Sequence, residues 1–205
     1  MKPTLYYAPN SCALASHLAL ELSGLPYEAK RVDFANNQQR SPEFLAMNPK
    51  GRVPALVTDH GVLTETPAIL VYVCQLRPEA NLAPLHDAFA IAQLQSFNSY
   101  LCSTVHVAHA HRYRGYRWSD SAEAIESMRQ KVPQNMRECF GLIERDYMKG
   151  PWVLGEQLSV CDLYLFTIGR WLPGDDVDIN EFPKVAAHAA RVQQLEAVQR
   201  VLASQ

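Results

Sequence analysis

The sequence predicts a chain in two parts, a compact α/β unit at the front and an all-helical remainder. Three observations carry this. A strand, a helix and a second strand follow one another within the first 34 residues, and a hairpin and a further helix then close a unit near residue 77. From Asp87 onward no strand signal appears.

The opening run 5–8 is aromatic and apolar, and Pro9-Asn10 interrupts it. Leu14, Leu18 and Leu22 then recur four apart, so a helix is expected over 12–23, with Gly24-Leu25-Pro26 as its stop signal. A second strand is expected over 27–34. Its alternation breaks at Lys30-Arg31, which points to a bulge or an edge position. The strand-helix-strand order makes the two strands parallel. Ser41-Pro42-Glu43 reads as a helix cap with proline in the first turn, and Asn48-Pro49-Lys50-Gly51 as a turn. Residues 53–57 and 62–64 form a hairpin around Thr58-Asp59-His60-Gly61. Pro54 cannot donate to the ladder, so it marks an edge or a special turn in which a cis peptide is allowed. Thr66-Pro67 opens the next helix, with Thr66 as the expected cap.

The first domain is placed at 1–77, a linker at 78–86 where Pro78 and Pro84 break periodicity, and a helical domain at 87–205. One long helix is expected over 87–114, with Phe97, Leu101 and Val105 on its apolar stripe. The next passes through Pro133. Ser159 followed by Asp162 is a shortened capping box before a dense apolar helix, Pro173-Gly174-Asp175-Asp176 breaks the chain, and terminal helices cover 184–202.

A net charge of −2, from 19 basic and 21 acidic residues without a basic block, argues against nucleic acid or an anionic membrane as partner. The five cysteines include no C-x-x-C pair, and the chain shows neither a signal peptide nor a long apolar run. Reduced thiols in the cytoplasm are therefore expected, and any disulfide chemistry needs an external thiol.

Three features converge on one edge of the first domain. Cys12 lies at a helix start, where unpaired N–H groups and the positive dipole end favour an anion. Val53 precedes Pro54 and, across a cis bond, would offer its backbone to an extended peptide-like ligand. Glu65 and Thr66 stand at the next helix start, where N–H groups and a hydroxyl hold a carboxylate and Glu65 accepts an ammonium. Together they describe a site for a small peptide with a thiol, an amide backbone and an α-amino-acid end.

The segments Tyr6-Tyr7-Ala8-Pro9-Asn10-Ser11-Cys12, Asn48-Pro49-Lys50-Gly51-Arg52-Val53-Pro54-Ala55-Leu56, Leu63-Thr64-Glu65-Thr66-Pro67-Ala68-Ile69 and Leu158-Ser159-Val160-Cys161-Asp162 resemble a cytosolic glutathione transferase, most similar to the bacterial beta class. The resemblance implies a thioredoxin-like N-terminal domain, an all-helical C-terminal domain, a cytoplasmic homodimer and glutathione as co-substrate in the cleft between the domains. It implies that Cys12 contacts the glutathione sulfur, with Ser11 as the competing thiol-activating group and His106 as a second donor. Val53 with Pro54 would meet the cysteinyl backbone, and Glu65 with Thr66 the γ-glutamyl end. Asn37, Ser99, Ser103 and Thr104 complete the implied glutathione set. Asn37 stands where the class often has lysine, and Val107 where a basic residue is expected. The partner substrate would be a small apolar electrophile or a disulfide, with Tyr7, His109, Tyr113 and Tyr116 as pocket candidates. The alternative is a non-catalytic carrier or regulatory partner of the same fold. His106, His109 and His111 suggest a metal, but the last points away from the first two on a helix, so no metal is expected.

Overall fold

The computed structural model describes residues 2–205. The chain forms two compact units, one running up to Ala92 and completed by Gln193–Gln205, the other Gln93–Val192.

The first unit is built on a mixed sheet in the order β2-β1-β3-β4, where β1 is Thr4–Tyr7, β2 Glu28–Arg31, β3 Ala55–Thr58 and β4 Gly61–Thr64. β1 and β2 are parallel, while β3 is antiparallel to both β1 and β4. This is the thioredoxin-like arrangement that the sequence resemblance implied. The irregularity at Lys30-Arg31 is an edge position, since β2 has one neighbour and all its side chains are exposed. β2 is also shorter than expected. Beyond Val32 the Asp33 carboxylate accepts the amides of Ala35 and Asn36, which bends the chain into a turn and out of the ladder.

Helix α1, Ala13–Ser23, connects the parallel strands and ends on Gly24 at φ 69°, a left-handed cap that glycine adopts without strain. α2, Pro42–Met47, is capped by Ser41, whose hydroxyl accepts from the Phe44 amide at 3.2 Å. α3, Thr66–Leu76, and the C-terminal helix Glu196–Ala203 both pack on α1. At that contact the Arg200 guanidinium donates to Glu21 at 2.9 Å, and Glu21 accepts the Tyr27 hydroxyl at 2.9 Å.

His17 lies beneath this network, 3% exposed, with its ring 5.0 Å from Tyr7 and 5.5 Å from Tyr27. Burial pushes its imidazolium below the ordinary value, and the Glu21 carboxylate only partly opposes this. The folded chain therefore binds fewer protons at His17 than the unfolded chain. The stability contributed is complete above about pH 6.5 and is lost as pH falls from there toward the folded-state value. Glu21, depressed chiefly by the Arg200 hydrogen bond, adds its own loss only at lower pH. The thermal midpoint is expected to fall between pH 7 and 5 in the wild type and to fall less in His17→Phe. Parallel curves for the two proteins over that range would remove His17 as the cause.

The second unit is helical. α4, Ala88–Tyr100, leads into it, followed by α5, His106–Arg114, α6, Ala122–Leu142, α7, Val160–Gly169, and α8, Pro183–Gln193. The single helix expected over 87–114 is instead interrupted by a π-helical turn at Leu101–Val105. One residue is added to the turn there, and such insertions are frequent at functional sites. α7 is buried along its whole length, as its apolar density requires. Among the described residues no helix is long and apolar enough to cross a membrane.

Candidate active site

In the first unit the chain leaves β1 at Tyr7 and turns through Asn10, at φ 57°. The Ser11 hydroxyl donates to the Ala8 carbonyl at 2.6 Å and accepts the Ala13 amide at 3.3 Å. It thereby takes up one of the amides that a helix start leaves unbonded. Cys12 is the residue immediately before α1, and its thiol donates to the Val53 carbonyl at 3.7 Å. Residues 41 positions apart are thus brought into direct contact. The Val53-Pro54 bond is cis. Asn48, 1% exposed, shapes the approach to it by donating to the Arg52 carbonyl at 2.7 Å and accepting the Lys50 amide at 3.2 Å.

Glu65 sits at φ 71° and ψ 120°, a conformation that costs a non-glycine residue about 1–3 kcal/mol and that gathers at ligand clamps. It, and not Thr66, occupies the cap position of α3. Thr66 is the first helical residue and 3% exposed. The Glu65 side chain makes no cap bond to its own helix. Its carboxylate accepts the Lys50 ammonium at 2.5 Å, and the same ammonium reaches the Thr64 hydroxyl at 2.8 Å. Lys50, which the sequence offered only as a turn residue, thus places an ammonium on Glu65 beside a helix N-terminus.

Three of the other four thiols are unsuited to act as thiolates. Burial pushes Cys74 up to about 12 and also raises Cys139, while Cys161 is wholly buried in α7. Asn37, at φ 54°, is exposed, and its amide oxygen accepts from Gln39 at 3.4 Å within its own turn. Tyr7, expected at the electrophile, is 6% exposed. Its ring lies on His17 and its hydroxyl donates to the Ser204 carbonyl at 3.5 Å, so it is committed to packing in the first unit.

In the second unit Ser99 accepts the Ser103 hydroxyl at 2.8 Å through its carbonyl, and Ser103 and Thr104 are exposed on the π-helical turn. His106 opens α5 with its ring 4.8 Å from Trp171, and His109 stacks on the same indole at 4.4 Å and 22°. His109 Nδ1 meets both carboxylate oxygens of Asp175, at 2.8 and 3.0 Å, and Asp175 is fully buried. One turn further along α5, Arg112 pairs with Asp176 and the Tyr113 hydroxyl donates to the Gly174 carbonyl at 2.9 Å. Tyr113 and Tyr116 are exposed, and His111 lies edge-on to Trp118 at 4.3 Å. Among the described residues no group of three or more His, Cys, Asp or Glu side chains could hold a metal ion. Trp171 and Asp175 were missed in the sequence. No spacing rule connects His109 with a residue 66 positions away.

Residues 1–75 match the family model for the glutathione S-transferase N-terminal domain, and 109–205 that for the C-terminal domain. The chain is 28% identical to glutathione S-transferase GstA of Escherichia coli O157:H7, over 98% of each chain. A glutathione transferase homolog from Sulfitobacter, solved with bound glutathione, is 43% identical over 99% of this chain and 98% of its own, with a TM-score of 0.96. The bacterial beta class enzyme of Sphingomonas chungbukensis is 31% identical over 98% of each chain, at a TM-score of 0.85.

Proposed function

Because the chain belongs to the glutathione S-transferase family, we propose that it is a glutathione transferase that activates the glutathione thiol for attack on a small apolar electrophile. The observation that carries the reading is the contact of the Cys12 thiol with the Val53 carbonyl. A tripeptide pairing its cysteinyl backbone with Val53 has its own sulfur delivered to the start of α1. There the Ser11-Cys12 segment and the oriented amides favour the thiolate over the thiol. Glu65 receives the γ-glutamyl ammonium in place of Lys50, and the first amides of α3 receive its carboxylate. We place the principal glutathione residues within 1–77, the linker at 78–86, and within 87–205 His106 as the second donor of the glutathione set and His109, Tyr113 and Tyr116 as the electrophile contacts. We read the working form as a cytoplasmic homodimer.

Glutathione-dependent disulfide exchange is a second activity of the same site in this reading: the Cys12 thiolate attacks one sulfur of a disulfide and expels the other half as a thiol, and a glutathione thiolate then attacks the Cys12 mixed disulfide, leaving joined to the retained half and restoring Cys12. The test is retention on immobilised glutathione together with turnover of a panel of electrophiles and disulfides. Cys12→Ala is expected to lose disulfide exchange entirely and to keep conjugation within about tenfold. Persistence of both activities moves thiol activation to Ser11. Binding of glutathione without any turnover favours a carrier, and failure of both retention and turnover ends the transferase reading.

A further inference from the structure

Glutathione carries a second carboxylate, on its glycyl end, and the proposed site gives that charge no receptor. Asn37 is uncharged, and its amide oxygen accepts from Gln39 within its own turn. The strand order of the first unit fixes where the glycyl end lies. Tyr7 pairs with Arg31, Tyr6 with Ala55 and Ala55 with Thr64, so β1, β2 and β4 finish at the end of the sheet where β3 begins. In the order β2-β1-β3-β4, Glu65 therefore stands on one flank of Val53, and the segment that follows β2 stands on the other, beyond β1. An extended peptide running from Glu65 through Val53 directs its glycyl carboxylate toward that second segment.

Arg40 is the cation of that segment. Its turn is seated on the one that leads into Val53. A Cβ at Gly51 would fall 2.9 Å from Arg40 Nη1 and 3.0 Å from the Gln39 carbonyl oxygen, and Gly51 also sits at φ 59°. Glycine is required there on both counts. The guanidinium is thereby held against backbone two residues before Val53, within about 7 Å along the chain, a span comparable to that between a cysteinyl Cα and the carboxylate of the next residue. Arg40 is exposed, and its guanidinium has no hydrogen-bond or ion-pair partner among the described residues. Its planar fork suits a carboxylate, with two parallel hydrogen bonds. Lys50, the cation of the facing turn, is already engaged on Glu65. We propose that Arg40 receives the glycyl carboxylate and so makes the site selective for a peptide whose C-terminal carboxylate is free. This rests on the transferase reading, which places the other two parts of the peptide.

The experiment measures Kd by calorimetry for glutathione and for its glycyl ethyl ester, in wild type, Arg40→Ala, Arg40→Lys and Arg52→Ala. The wild type is expected to hold the ester less tightly than glutathione by a factor of about ten or more. In Arg40→Ala glutathione should weaken by the same factor while the ester keeps its wild-type Kd, which brings the ratio close to one. Arg40→Lys keeps the charge without the fork and should restore part of the preference. Arg52→Ala removes the cation next to Val53 and should leave the ratio as in the wild type. Both arginines are exposed, so each variant should keep the wild-type thermal midpoint, and that measurement separates damage to the fold from loss of the receptor. The inference is overturned, with the transferase reading intact, by a wild type that binds both forms equally or by an Arg40→Ala protein that keeps the wild-type ratio. An Arg52→Ala protein that loses the ratio overturns it as well. A wild type that binds neither form overturns the transferase reading and this inference with it.

Discussion

Asp162→Ala is expected to destabilise the second unit by on the order of 4 kcal/mol, more than any other single truncation proposed for this chain. Asp162 is fully buried at the first turn of α7. One carboxylate oxygen accepts the Val153 amide at 2.8 Å and meets His188 Nε2 at 3.0 Å. The other accepts the Ser159 amide at 2.7 Å and the Ser159 hydroxyl at 3.0 Å. Truncation leaves two buried amides without their partners, at about 1–3 kcal/mol each, and also releases His188, which is wholly buried. For a chain of this length that corresponds to a fall in thermal midpoint of about 10 °C. Ser159→Ala, which removes the cap but keeps the carboxylate, is expected to cost about 1 kcal/mol. Calorimetry on both variants checks the order. A loss in Asp162→Ala no larger than that in Ser159→Ala shows that the carboxylate does not organise this region.

The same residue shows how far local rules reach. The capping box was legible because Ser159 and Asp162 are three positions apart and the amides they serve belong to one turn. Val153 and His188 were not legible, because only the folded chain brings them to the carboxylate. The site divides in the same way. Cys12 at a helix start, Pro54 in a special turn and Glu65 at the next helix start were read from residue types whose conformational preferences are local. The ammonium of Lys50 on Glu65, and Asp175 beneath His109, depend on tertiary placement. The helix expected over 87–114 failed for a different reason. An apolar stripe specifies which residues face inward, and a π-helical turn satisfies the same stripe with one residue more per turn.

Glu65→Gln is expected to abolish retention on immobilised glutathione and to raise KM for glutathione by roughly tenfold to a hundredfold. A hydrogen bond to a charged group contributes about 1.5–3 kcal/mol, and each 1.4 kcal/mol is tenfold. The substitution keeps side-chain length and the capacity to accept a hydrogen bond, and it leaves the backbone at φ 71° subject to the same strain. What it removes is the charge that an ammonium seeks. Lys50 does not change this expectation. Its ion pair with Glu65 joins two half-exposed side chains, 48% and 63% accessible, and contributes at most about 1 kcal/mol, so an incoming ammonium displaces it at small cost. For the same reason the thermal midpoint of Glu65→Gln should stay close to that of the wild type. Lys50→Ala is expected to leave KM for glutathione unchanged or lower it by up to about fivefold, because the competing ammonium is gone. A Glu65→Gln protein that keeps wild-type KM would remove Glu65 as the receptor of the γ-glutamyl end. A large rise in KM on Lys50→Ala would show instead that Lys50 contacts the peptide itself, through the carboxylate next to that ammonium.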